Sequence, residues 1–271
     1  MYTQEGFDDE GRRDDERMHS MADTTETGLP RAVAIAWGMQ EVPQRGPNRG
    51  LSHERIVAAA IEIADAEGLS AVTMQAVAKS LGFTTMSLYR YVSSKEELLQ
   101  LMQDAAVISP EKLKLPPTWQ EALRAWAGWI REAYRAHPWV LQLPRGQVAV
   151  LMPNSVRAAD LGLQALRDLP LSHFEKVGII LVVSQHVAAT VELEQNLAAE
   201  GEVRITAEGV EVLKEVITAE RFPHLVPVME AGGYVAGAPE ADRQDEGVDP
   251  EYDLGLDLII AGLERRIPLG S

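Results

Sequence analysis

The sequence contains no cysteine. That excludes disulfides, thiolate chemistry and cysteine-ligated zinc. It has no run of about 18 uninterrupted apolar residues, so the sequence predicts no membrane span. Its first residues, Met1 to Glu5, are polar and lack the apolar stretch of a secretory signal. A soluble, cytoplasmic protein is the expectation. Positive charge is also short: 25 Lys and Arg stand against 41 Asp and Glu, for a net charge of −16. Such a balance argues at first sight against nucleic acid as a partner. Enzyme signatures are missing as well. There is no Gly-rich phosphate loop, no HExxH, no GxSxG and no His cluster at metal-ligand spacing. Glu192 and Glu194 lie two apart and point to different helix faces, a poor geometry for paired acid–base work. No enzyme, no cofactor and no metal site are expected.

The acid is unevenly placed. Residues 1–30 carry 9 acidic and 3 basic side chains, and residues 200–257 carry 15 and 4. Residues 31–199 carry 16 of each. A local basic face is therefore compatible with the overall acidity. Apolar residues make up 46% of the chain, enough for a sizeable core. No stretch alternates apolar and polar residues as a strand does, and no internal repeat is visible. The fold class read from these patterns is all-α.

Residues 1–30 are polar, without an apolar period, and are expected to be disordered. Residues 31–42 allow a short helix. The stretch Pro43-Gln-Arg-Gly-Pro-Asn-Arg-Gly50 then reads as an extended basic arm. Ser52 is an N-cap before a helix with Ile56, Ala60, Ile63 and Ala64 on one face, ending at Gly68. Thr73 caps a short helix over 74–80. Gly82 turns the chain into another near Thr85–Tyr91. Ser94-Lys-Glu-Glu97 is a capping box that opens a helix to about Ala106. Beyond Pro116-Pro117 the pattern predicts helices over 118–136, 154–168, 172–198 and 207–219, with a further turn at 222–231. Residues 232–250 read as a loop, and 251–266 as a closing amphipathic helix. The organisation expected is a disordered or weakly ordered acidic extension (1–44), a three-helix unit with its basic arm (45–98), and a larger helical unit (99–271).

The sharpest signal is Thr73 to Lys95, TMQAVAKSLGFTTMSLYRYVSSK. Two short helices meeting at a glycine turn form a helix-turn-helix, whose second helix enters the major groove. Its N-terminal end offers Thr84, Thr85, Met86 and Ser87. Hydroxyls serve bases or phosphates, and a Met side chain can touch a thymine methyl. Tyr89, Arg90 and Tyr91 suit phosphates, and Lys95 at a helix N-terminus suits another. Arg45 and Arg49 of the arm suit a minor groove. Each has a plainer alternative. Tyr89 and Tyr91 also read as core aromatics, Thr73, Thr84 and Ser94 as caps, Lys95 as a solvated charge, and the arm as a linker.

These residues carry a resemblance. Thr73, Ala78, Leu81-Gly82, Leu88-Tyr89-Arg90-Tyr91-Val92 and Ser94-Lys95-Glu96-Glu97-Leu98 follow the pattern of the tetracycline-repressor-like regulators, and residues 52–106 resemble their DNA-binding domain. Phe222-Pro223-His224 and the run from Leu254 to Glu264 resemble the tail of the subfamily nearest the family's namesake. The resemblance implies operator contacts from Thr73, Gln75, Thr84, Thr85, Met86, Ser87, Tyr89, Tyr91 and Lys95. It departs at Gln75, where the namesake repressor has Arg, and by geometry Gln prefers adenine. It further implies a homodimer through 172–198 and 251–266, and binding of palindromic operator DNA. It also implies a small-molecule effector that tilts the 94–106 helix and releases the DNA. Ligand-assisted binding, and a ligand-binding module without DNA binding, remain as alternatives.

The effector is expected among residues 100–190. Trp119, Trp126, Trp129, Tyr134, His137 and Trp139 gather aromatics there, joined by Met152 and His186. An apolar cavity with a few polar handles is what such a site requires. The competing reading is that these tryptophans are core, that His137 ends its helix, and that His186 is a satisfied core histidine.

Overall fold

A computed structural model describes residues 25, 28–39, 50–107, 114–199, 207–231 and 250–267. The acidic segment before Thr25, the arm residues Arg45 and Arg49, and most of the 232–250 loop lie outside the described residues. Among the described residues the regular structure is helical throughout.

The first half forms a reading head. It comprises α1 (Arg31–Ala36), α2 (His53–Glu67), α3 (Met74–Leu81), α4 (Thr85–Leu88) and α5 (Lys95–Ala106). Four of these helices start at a hydroxyl cap. Ser52, Thr73, Thr84 and Ser94 accept from the N–H groups of Arg55, Ala76, Ser87 and Glu97 respectively. Each bond satisfies a donor that the helix start leaves unpaired. Gly82 ends α3 at φ +74, a left-handed conformation that costs glycine nothing and fixes the angle between α3 and α4. α4 is shorter than the spacing predicts. It stops at Leu88, and Tyr91 and Val92 turn back by donating to the Leu88 carbonyl.

Two expectations change. The short helix allowed over 31–42 forms at residues 31–36, inside the extension expected to be weakly ordered, with Ala32, Val33 and Ala34 buried and Ala32 and Val33 packed into the reading head. The capping box also closes one residue early. Glu97 accepts from the backbone N–H and hydroxyl of Ser93, at 3.0 and 2.9 Å, rather than from the N–H of Ser94.

The second half comprises α6 (Trp119–Ala136), α7 (Gln147–Val150), α8 (Pro153–Ala165), α9 (His173–Ala199), α10 (Ala207–Val216), α11 (Val226–Glu230) and α12 (Pro250–Arg266). A 3-10 turn at 138–142 follows α6. Buried side chains fall into two clusters. One joins Ile56, Val77, Leu88, Leu98 and Met102 of the reading head to Trp139, Val140 and Met152, so that core continues beyond residue 98. The other joins Leu123, Trp126 and Ile130 of α6 to Leu161, Ile180, Val183, Val187, Leu256 and Ile260. Each fully buried aliphatic chain contributes about 1.5–3 kcal/mol of transfer free energy, so the first cluster fastens the reading head to residues 139–152 and the second holds the effector half together.

α9 is long and apolar enough to cross a membrane by length and composition alone. Its apolar residues divide between two sides. Ile180, Val183 and Val187 are buried in the second cluster and Val191 is buried beyond it, while Phe174, Val177, Leu181, Val182, Leu193 and Leu197 are exposed. On α12, Leu254 and Leu258 are exposed in the same way.

Candidate nucleic-acid interface and its joint with the effector half

Leu88 is the anchor of the reading helix. It is fully buried, as is Val77 on α3, so packing at the turn fixes which side of α4 faces out. That outward side carries Met86, 72% exposed, and Tyr89, 46% exposed, with Arg90 beside them. Thr73, Gln75 and Thr84 are exposed at the starts of α3 and α4, while Thr85 and Ser87 are half-buried. Thr84 serves as a cap: its Oγ1 accepts from the Ser87 N–H and lies 2.9 Å from the Ser87 Oγ. Lys95 stands half-buried at the first position of α5, beside the N–H groups of that helix start. A helix start with an ammonium beside it suits an anion.

Tyr91 sits differently from Tyr89. It is half-buried, packs on the first core cluster, and meets His53 edge-on with ring centroids 5.6 Å apart. The His53 Nε2–H donates to the Tyr91 carbonyl at 2.8 Å. Thus Thr73, Gln75, Thr84, Met86 and Tyr89 are exposed and Lys95 is half-buried, while Tyr91 packs on the first core cluster.

The eight residues gathered for the effector are spread over both clusters, Trp119 packing on the second. Trp139 and Met152 are buried in the first cluster, against the reading head. Trp126 is buried in the second, and its indole N–H donates to the Ala158 carbonyl at 2.8 Å. Gly162 of α8 lets that ring lie flat on the backbone, since a Cβ there would stand 2.7 Å from it. Trp129 is half-buried on the second cluster, and Tyr134 touches both clusters, with burial pushing its phenol above the usual range. His186 donates from Nε2 to the Tyr252 carbonyl at 2.8 Å and stacks on the Tyr252 ring. His137 and Trp139 both donate to one oxygen of Asp65 on α2, at 2.9 and 2.7 Å. For Trp126, His137, Trp139 and Met152 the structural role is therefore occupied: they are core or joint. The two-residue spacing of Glu192 and Glu194 also acquires a meaning. Glu194 bridges Arg131 at 2.7 Å and Arg135 at 2.9 Å, tying α9 to α6.

Sequence reasoning missed the joint itself. Asp104, near the end of α5, is buried and caps the start of α8. It accepts from the N–H groups of Asn154 and Ser155 at 2.9 and 3.3 Å. Burial pushes its carboxyl up, against the pull of those N–H groups. Glu97, at the other end of α5, is held by Arg31 as well as Ser93. Partners 50 and 66 residues away leave no trace in local sequence pattern. The one signal available was an apolar-to-acidic break on the buried face of α5.

Comparison with known proteins agrees with this geometry. Residues 56–102 match the family described as bacterial regulatory proteins, tetR family, and residues 113–267 match the tetracyclin repressor-like C-terminal domain. The chain is 33% identical over 261 residues to the HTH-type transcriptional repressor DrrR1 of Streptomyces coeruleorubidus, covering 90% of each chain. It is 28% identical over 148 residues to the class E tetracycline repressor protein of Escherichia coli, covering 54% of this chain and 69% of that one. Among solved structures, apo ActR from Streptomyces coelicolor superposes with a TM-score of 0.58 at 28% identity, covering 79% of this chain and 96% of that one. ActR in complex with actinorhodin gives 0.60 at 26% identity, covering 82% and 100%. A helix-turn-helix head matched over its length and a C-terminal half matched over more than half the chain settle the assignment: this protein belongs to the tetR family and is a helix-turn-helix transcriptional regulator.

Proposed function

We propose that this regulator is a cytoplasmic repressor that reads a palindromic operator as a homodimer and leaves it when a small organic molecule occupies its C-terminal half. The observation that carries the DNA contact is the outward face of α4. A four-residue helix exposes Met86 and Tyr89 while burying Leu88 beneath them. Thr84, Thr85, Met86 and Ser87 meet base edges, Tyr89 and Lys95 grip phosphates, and Thr73 and Gln75 meet the operator from the start of α3. Tyr91 backs the face, and Arg45 and Arg49 are assigned to the flanking minor groove.

Two reading heads about 34 Å apart match successive major grooves. That spacing calls for a second copy of the chain, and the exposed stripes on α9 and α12 support it as their occupant. An apolar stripe on one side of a helix whose other side is core suits a symmetric helical bundle better than lipid, which would wet the whole circumference. ActR has been solved in complex with actinorhodin, and the effector of this chain is assigned to its C-terminal half. Trp129, Tyr134 and His186, half-buried around the second cluster, are its nearest contacts here.

The test is a band shift on the DNA upstream of the chain's own gene, at two salt concentrations, with a Tyr89→Ala/Lys95→Ala variant alongside. A specific shift that the variant loses supports the reading. Loss of a phosphate contact also flattens the salt dependence by about one unit of log–log slope per contact. A variant that binds as the parent does overturns the assignment of this face.

A further inference from the structure

Residues 28–39 precede the segment matched to the DNA-binding family, and that match gives them no task. α1 is six residues long, yet its Ala32, Val33 and Ala34 are at most 2% exposed. Arg31, its first residue, sends one guanidinium nitrogen to both oxygens of Glu97, at 2.7 and 2.9 Å. Its other terminal nitrogen donates to the Tyr91 carbonyl at 3.1 Å, just past the reading helix. At the far end Trp37 reaches across the molecule. Its indole N–H donates to the Leu151 carbonyl at 2.8 Å, in the turn between α7 and α8. The connection between these anchors is stiff. Gly38 stands at φ +66, with its N–H on the Ile35 carbonyl and the Met39 N–H on the Ala34 carbonyl. Those two bonds are the paired closure that ends a helix firmly and holds the following residues in place.

We infer that residues 31–39 are a strap that sets the angle between the reading head and the effector half, with Arg31 and Trp37 as its positioning residues. One end grips the start of α5 and the end of the reading helix. The other grips the effector half beside α8, which Asp104 already ties to the last turn of α5. Any shift of the 150–153 turn is drawn through Trp37 and α1 onto Glu97 and Tyr91. In a dimer a small change in that angle alters the spacing of the two reading heads. The inference rests on operator binding for its consequence, though not for the strap itself.

The absence of cysteine makes a direct test available. Lys79→Cys on the reading head and Glu132→Cys on α6 are exposed sites that accept one spin label each. Labelled chains diluted into unlabelled ones report the distance between the two halves, with neither DNA nor effector present. Trp37→Phe, which leaves the reading head untouched, should broaden or shift that distance distribution. It should also weaken binding to the upstream DNA by about threefold to tenfold, the worth of one exposed hydrogen bond, at unchanged salt dependence. Arg31→Gln should act in the same sense, and Trp37→Phe should add nothing on top of it, since a strap cut at one end transmits nothing from the other. A distance distribution that Trp37→Phe leaves unchanged overturns the strap, as do fully additive effects of the two substitutions. Failure of the parent chain to shift the DNA would refute the operator reading instead, and the distance measurement would still decide the strap.

Discussion

Replacing the buried Glu97 by Ala should destabilise the reading head. The carboxylate is 5% exposed and accepts from Arg31, from the Ser93 N–H and from the Ser93 hydroxyl. It also lies in the first turn of α5, where negative charge meets the positive end of the helix. Removing one member of a fully buried pair costs about 3–5 kcal/mol. Here the Arg31 side chain is 26% exposed and Ser93 faces water, so both rehydrate in part. The loss is then nearer one charge-assisted hydrogen bond plus the helix-end interaction, about 2–3 kcal/mol. For a cooperative unit of this size that corresponds to a fall in Tm of roughly 5–10 °C. Far-UV circular dichroism melts at neutral pH measure it. Glu97→Gln keeps an acceptor for Ser93 and should lose about half as much. A double-mutant cycle with Arg31→Ala should return a coupling above about 1 kcal/mol. If Glu97→Ala stays within about 0.5 kcal/mol of the parent, the range of an ordinary surface change, the clasp contributes nothing and the reasoning fails.

Two further outcomes are expected. Leu258→Glu places a charge on the exposed stripe of α12, where Leu258 is 65% exposed. Sedimentation velocity should show the dimer constant weakened by at least about a hundredfold, because a buried leucine is lost from both copies, and an unchanged dimer would move the interface elsewhere. Glu175, bound by Arg266 and capped by Ser172, has its carboxyl held down at about 2 from the usual 4.5. Its folded form therefore favours the ionised state, so its contribution is complete above 4.5 and disappears as pH falls toward 2. Urea midpoints of the parent and Glu175→Gln should converge over that window, and a constant gap would show that the bond to Arg266 is not what lowers the carboxyl.

Much of the reading head was legible in the sequence because its determinants are local. A hydroxyl cap acts three residues ahead, a left-handed glycine acts where it stands, and apolar spacing on a short helix selects one face. Ser52, Thr73, Thr84, Ser94, Gly68 and Gly82 announced the helix ends on those grounds, and Leu88 announced which side of α4 turns inward. The same locality explains what was misjudged. Residues 31–42 allowed a short helix, but six residues cannot hold one alone, and α1 is stable because the reading head covers it. For Trp126, His137 and Trp139 the core reading given beside the ligand reading has its partners in Ala158 and Asp65, supplied by other helices. Thus the sequence alone determined an all-helical chain with a helix-turn-helix at 73–95. Only the tertiary structure decided that Asp65 and Asp104 join the two halves and that Arg31 and Glu97 clasp α1 to α5 within the reading head. Burial makes an unpaired carboxylate costly, and the partner that relieves the cost is chosen by packing across 50 to 74 residues of chain.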